Sequence, residues 1–161
     1  KFLLNKNIKT IFSSPLKRAK QTAEIVANDL KVNIILNNSL SEIAYGEASG
    51  KKKQDLEKLF GEGINEKWSS DDPTLDNIKF LNGESKIEVR ERVSNFINDL
   101  IKSTNDDVLC LSSHGFVIKQ LIILAKENNH KGLKNCELVH FKIEDNGVLK
   151  FIERINTQID S

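Results

Sequence analysis

The chain contains no methionine, only two cysteines and no long apolar run, and its charges cancel to a net +1. Each shortage removes a class of protein. With 24 Lys and Arg against 23 Asp and Glu, no global field draws in nucleic acid or an anionic membrane, so any preference for anions has to be local. The apolar run at residues 121–125 is far too short to span a bilayer, and no segment has the layout of a signal peptide. Two cysteines do not build a disulfide framework. Cys110 lies in the apolar run Val108-Leu109-Cys110-Leu111, which reads as a buried strand, and with Cys136 as the other thiol the usage fits a reducing cytoplasm. No His, Cys, Asp or Glu spacing suits a metal, no glycine-rich loop of Walker type occurs, and no basic patch is interleaved with aromatics. Metal and nucleotide chemistry are disfavoured, and no cofactor is expected. Because Lys1 stands first and methionine is absent, the chain is expected to be a processed or truncated product.

What is present reads as one packed domain over residues 1–161, with 39% hydrophobic and 29% charged residues, a balance that argues against disorder. The β-favourable run Ile8-Lys9-Thr10-Ile11-Phe12 ends in Ser13-Ser14-Pro15, a serine cap with proline at the first helical position. Leu16, Ala19, Ala23, Val26, Ala27 and Leu30 then recur at helical spacing. Residues 32–36 read as a second strand, followed by the polar loop Asn37-Asn38-Ser39, and residues 51–60 as a short amphipathic helix. Residues 61–83 have little periodicity and are expected to be a long excursion that sets substrate choice, with Trp68 and Phe80 packing its core or lid. Ser85-Lys86-Ile87-Glu88 is a capping box opening a helix with Val89, Val93, Phe96, Ile97, Leu100 and Ile101 on one face. A buried strand at 108–111 leads through Ser112-Ser113-His114-Gly115 into a helix over 116–126, and two strands at 138–143 and 148–152 flank a turn with Asn146-Gly147. The order predicts an α/β three-layer sandwich: a mostly parallel central sheet with helices on both faces, and a C-terminal antiparallel hairpin at its edge.

Two strand-to-helix turns carry unusual polar groups where a parallel sheet places its ligands, beyond the carboxyl ends of its strands. In the first, Arg18 adds a guanidinium to a helix start whose free N–H groups already favour anions. In the second, His114 leaves the strand tip beside Gly115, which lets a ligand approach the backbone. Taken singly, an arginine in a first helical turn reads as a solvated charge and a lone histidine as structural. His130 reads as a loop histidine and His140 as the exposed partner of Val139 and Phe141 on its strand. Neither is assigned a role.

Together the motifs resemble a family. Ser14-Pro15-Leu16-Lys17-Arg18-Ala19-Lys20-Gln21-Thr22-Ala23 resembles the "SPLxRAxQTA" signature of the histidine phosphatase superfamily, the group that includes cofactor-dependent phosphoglycerate mutases. Leu40-Ser41-Glu42-Ile43-Ala44-Tyr45-Gly46-Glu47 is similar to that family's acidic segment, Asn82-Gly83-Glu84-Ser85 with Arg92 to its "GGES…R" segment, and Ser113-His114-Gly115 to its second histidine motif. The resemblance implies a metal-independent reaction in which a histidine attacks a phosphoryl group and forms a phosphohistidine. It implies that Arg18 grips the phosphoryl oxygens and that His114, with the Gly115 backbone, stabilises their developing charge. Glu42 would protonate the leaving oxygen and then take a proton from water, a task that calls for a pKa raised toward neutrality. Ser14, Glu84 and Ser85 would be supporting residues.

The family's hallmark "R-H-G-[ET]" motif, which carries the attacking histidine, has no counterpart here, since no histidine precedes His114. Residues 1–7 resemble only the end of the helix that follows that motif, so the first strand and its loop are expected upstream of Lys1. A chain that truly began at Lys1 would be expected to be inactive and poorly folded. Gly46-Glu47-Ala48-Ser49-Gly50 also departs from the family's "G-E-W-E-G", losing an aromatic and an acid. The resemblance implies a phosphomonoester hydrolase acting on a small phosphorylated metabolite. The short stretch between Glu42 and His114 places hydrolysis above the alternative, a phosphoglycerate mutase. The alternative from another class is a phosphate-binding module or pseudoenzyme without turnover. The sequence carries no signal for oligomeric state.

Overall fold

The computed structural model describes residues 2–127, 130 and 132–157; the loop reading of Asn128, Asn129 and Lys131 lies outside the described residues. The chain divides into two compact units, residues 1–42 with 93–161, and residues 43–92.

The larger unit is built on a parallel sheet of β1 (Thr10–Ser13), β2 (Asn33–Leu36) and β3 (Cys110–Ser112), in the order β2-β1-β3. β1 is central because it is paired on both sides, Thr10 opposite Asn33 and Ile11 opposite Cys110. Side chains alternate across a strand, and β1 uses both of its faces. Ile11, 1% exposed, packs with Ala23 and Ala27 of α1 (Lys17–Leu30), bordered by Ile8, Val26, Leu30, Val32, Ile34 and Cys110. Its neighbour Phe12 points the other way and meets Phe96 of α4 (Lys86–Ser103) edge-on, with ring centroids 6.0 Å apart. Three alanines line the buried stripe of α1, which lets the helix lie close to the strands. α5 (Gly115–Leu124) follows β3 and buries Val117, Leu121 and Ile122.

β4 (Leu138–Ile143) and β5 (Leu149–Ile155) form the expected hairpin, closed where Asn146 Oδ1 accepts from the Val148 N–H and Gly147 adopts φ +80°. The hairpin is a separate two-stranded sheet, not an antiparallel edge of the parallel one, and β5 runs to Ile155, three residues beyond the predicted end. His140 is exposed, its Nδ1 3.5 Å from Glu153.

The smaller unit contains α2 (Lys53–Phe60), α3 (Ile64–Ser69) and the first turns of α4. Residues 61–83 are therefore more ordered than their weak periodicity predicts, since they include α3 and a 3-10 turn at Pro73–Leu75. Aromatic packing supplies what periodicity could not. Phe80, 3% exposed, stacks on Trp68 at 5.8 Å and meets Phe60 at 5.2 Å, and Ala48 and Leu56 complete the cluster. The capping box forms as expected: the Ser85 N–H donates to Glu88 Oε2 at 2.7 Å and the Glu88 N–H to Ser85 Oγ at 3.2 Å. Gly46 sits at φ +53°, and a Cβ there would lie 2.1 Å from the Leu81 carbonyl oxygen, so glycine is required by close backbone approach.

Among the described residues, no helix is long and apolar enough to cross a membrane, and no group of three or more His, Cys, Asp or Glu is gathered as a metal site. Cys110 is half-buried in β3 and Cys136 exposed, both as free thiols. Burial pushes the Cys110 thiol up to about 11 from an ordinary value of 9.0. Because the fold favours the neutral thiol, Cys110 contributes stability that is complete below pH 9 and is lost as the pH rises through 11. Urea unfolding across that window should show the advantage of wild type over Cys110→Ala shrinking. At neutral pH a maleimide should label Cys136 well before Cys110; equal labelling would contradict this account of the β3 packing.

Candidate functional site

The parallel register decides which loops emerge together. Ser13 lies opposite both Leu36 and Ser112, so the segments that begin at Ser14, Asn37 and Ser113 leave the sheet side by side at its carboxyl end. Backbone bonds fasten them there: the Ser14 N–H donates to the Ser112 carbonyl at 2.9 Å and the Asn37 N–H to the Ser13 carbonyl at 2.9 Å.

The turn after β1 differs from its sequence reading in one respect. Ser14 does not cap the helix directly with Pro15 at its first position; α1 starts at Lys17, and its N-cap Leu16 is extended at φ −64°, ψ 132°. The reason is local. Ser14 Oγ accepts from the Leu16 N–H at 3.2 Å, the bond a cap would make, but Leu16 itself is extended and interrupts the helical run, so the first turn begins at Lys17. The consequence is that Arg18 falls at the second residue of α1, among N–H groups without intrahelical acceptors. Arg18 is exposed, and its guanidinium meets no carboxylate among the described residues.

The turn after β3 supplies the second group. His114 is the N-cap of α5, 5% exposed, and its carbonyl receives the Ile118 N–H at 3.0 Å. Its Nε2 is 2.8 Å from Ser14 Oγ. That bond joins the two turns, and with Ser14 wholly buried it holds the imidazole in one orientation. Which atom carries the proton depends on the tautomer. Gly115 follows, exposed, and a Cβ there would meet nothing within 4 Å, so the space beside this backbone is open. Two helix N-termini, those of α1 and α5, thus begin on neighbouring strands and add their positive ends to the same side of the sheet.

Glu42 belongs to the third segment. A 3-10 turn at Asn38–Leu40 follows β2, opened by Asn37 Oδ1 accepting from the Ser39 N–H at 2.8 Å. Leu40 is wholly buried, and Ser113 Oγ donates to its carbonyl at 2.7 Å. Glu42 lies two residues further on, half-buried.

Ser14, Arg18, Glu42, His114 and Gly115 all lie in the larger unit, on these three segments. Glu84 and Ser85 lie in the smaller unit, where both have structural partners. Glu84 Oε2 accepts from the Ala44 N–H at 2.9 Å, its own N–H donates to the Ala44 carbonyl at 2.8 Å, and its carboxylate pairs with Arg92 Nε at 2.6 Å. Ser85 is held by the capping box. Sequence reasoning missed the serines on the strand ends. Ser13 Oγ donates to the Ser14 carbonyl, Ser112 Oγ to the Ala19 carbonyl, and Ser113 Oγ to Leu40. Ser13-Ser14 and Ser112-Ser113 are paired serines at the ends of adjacent strands, but the pairing by itself names no acceptor.

The family model described as "Histidine phosphatase superfamily (branch 1)" matches residues 1–157. Phosphoserine phosphatase 1 of Hydrogenobacter thermophilus is 27% identical over 112 residues, 70% of this chain and 51% of that protein. The 2,3-bisphosphoglycerate-dependent phosphoglycerate mutase of Thermoplasma acidophilum is 39% identical over 50 residues, 31% of this chain and 25% of the mutase. The chain thus covers about half or less of these two curated relatives. A mycobacterial glucosyl-3-phosphoglycerate phosphatase solved with VO3 superposes with a TM-score of 0.72 at 20% identity, covering 94% of this chain and 77% of that one.

The geometry gives Glu84 the role of an anchor inside its own unit. Replacing it by alanine leaves the Ala44 N–H and the Arg92 guanidinium without their acceptor, a loss of about 1.5–3 kcal/mol for hydrogen bonds to a charged group. Chemical denaturation of Glu84→Ala should show a destabilisation of that size. A change below about 0.5 kcal/mol, the range of ordinary surface substitutions, would remove the anchoring role.

Proposed function

The chain belongs to the histidine phosphatase superfamily (branch 1), and on that premise we propose that the protein hydrolyses small phosphomonoesters through a phosphohistidine intermediate. The observation that carries the reading is the 2.8 Å bond between Ser14 Oγ and His114 Nε2, which unites an anion-suited helix start with a buried imidazole. Arg18 pairs with two phosphoryl oxygens, and His114 with the Gly115 N–H stabilises the charge that grows on them. Ser14 holds His114 in place.

In the first step the attacking imidazole nitrogen bonds to phosphorus, the ester P–O bond breaks, and the Glu42 carboxyl delivers its proton to the departing oxygen. In the second, water attacks phosphorus, the P–N bond breaks, and the Glu42 carboxylate takes the water's proton. The attacking histidine is assigned to no residue of this chain. Arginine, imidazole and helix-end N–H groups supply the positive field without a metal. Glu84 and Ser85 support the smaller unit, whose residues 61–83 are the part of the chain read as setting substrate choice. A cysteine usage of two is the kind expected in a reducing cytoplasm, where the protein is placed in this reading.

A second reading, phosphoglycerate mutase, has one observation in its favour, the 39% identity over 50 residues to the Thermoplasma enzyme. The two differ in whether water or a bound phosphoglycerate receives the phosphoryl group. An assay of the full-length protein that follows phosphate release beside 2-phosphoglycerate formation separates them. Phosphate release from a range of monoesters is expected; isomerisation of 3-phosphoglycerate much faster than any hydrolysis would overturn the hydrolase reading. Arg18→Ala or His114→Ala should lower turnover by roughly 10²–10³, the scale for losing one charge-stabilising donor. Activity unchanged by both would refute the site.

A further inference from the structure

We propose that Ser113 is a positioning residue for proton transfer: its hydroxyl holds the Glu42 segment in register with His114. The inference rests on the reading of Glu42 as proton donor and goes beyond it by naming what fixes the donor.

Three consecutive residues at the end of β3 reach the two segments beside it, the β1–α1 segment twice and the Glu42 segment once. Ser112 Oγ donates to the Ala19 carbonyl at 3.0 Å, beside Arg18; Ser113 Oγ donates to the Leu40 carbonyl at 2.7 Å; His114 Nε2 meets Ser14 Oγ at 2.8 Å. Because these residues are adjacent in the chain, the covalent geometry of one tripeptide sets the spacing of the other two segments. The Ser113 contact is the one that reaches the Glu42 segment. That segment is stiff up to Leu40, whose side chain is wholly buried and whose 3-10 turn is closed by the Ser41 N–H donating to the Asn38 carbonyl at 3.0 Å. The bond from Ser113 therefore acts on a carbonyl two residues from Glu42, and nothing in it touches substrate. Its loss shifts Glu42 relative to the leaving oxygen, and misplacement by about 1 Å costs on the order of 10² in rate.

The chemistry gives this role a signature that a merely structural role lacks. An alkoxide needs the proton as it departs, whereas a nitrophenolate leaves without one. The ratio kcat/KM reports events up to cleavage of the ester bond, so it isolates the proton-donating step. The experiment measures kcat/KM of the full-length protein for glycerol phosphate and for 4-nitrophenyl phosphate in wild type, Ser113→Ala, Ser113→Thr and Glu42→Gln. Ser113→Ala should lose about tenfold or more on glycerol phosphate and less than about threefold on the aryl ester, within the range that general acid catalysis supplies. Ser113→Thr keeps the hydroxyl and should retain the wild-type ratio of the two substrates. Glu42→Gln should show the same selectivity, larger in size. If Glu42→Gln is selective while Ser113→Ala loses equally on both esters or on neither, the Ser113 inference is overturned alone. If wild type releases phosphate from neither ester, or Glu42→Gln shows no leaving-group dependence, the proton-donor reading fails and the inference with it.

Discussion

The hydrogen bond between Ser14 and His114 joins residues 100 positions apart, and the candidate site depends on it. It exists because β1 and β3 are paired in parallel with Ser13 opposite Ser112; a slip of one residue would turn every side chain of the strand to the other face of the sheet. The packing of β1 opposes such a slip. Ile11 fits the alanine stripe of α1 on one face and Phe12 meets Phe96 on the other, so neither side chain can change places with its neighbour. The hydrophobic core of the larger unit thus fixes the polar geometry at its rim.

The smaller unit solves a different problem. Its chain has few long periodic stretches, and its order comes from an aromatic stack around Phe80 together with polar anchors. Asp76, itself buried, pairs with Lys86 at 3.3 Å and with Arg90, and Glu84 ties Ala44 to Arg92. Each of these charges is partly or wholly removed from water, so each depends on its partner for compensation. Such a unit tolerates few changes at its anchors and more at its exposed positions.

Much of this architecture was legible in the sequence, for physical reasons that vary by element. α1 and α4 are legible because a helix with one buried face must repeat its apolar residues, and Ser85 with Glu88 marks the start of α4. β3 was legible as an apolar run, and the hairpin through Asn146-Gly147. The helix inside residues 61–83 was not, because six residues make too few turns for a period and Trp68 packs by shape. α1 starts later than Ser14 and Pro15 suggest because Leu16 is extended, a single-residue feature that no periodicity shows. Of the candidate residues, Arg18 and His114 stood out by charge and by place at strand ends. Ser112 and Ser113 did not, since a serine shows its role only when its acceptor, distant in sequence, is known.

In the proposed reaction the phosphoryl group is bound beyond the carboxyl ends of β1 and β3. The most direct test is a crystal structure of the full-length protein with orthovanadate. Vanadate oxygens are expected within hydrogen-bond reach of the Arg18 guanidinium, the His114 imidazole and the Gly115 N–H, with the Ser14–His114 bond intact. Ordered vanadate elsewhere, with these groups left in contact with solvent, would contradict it.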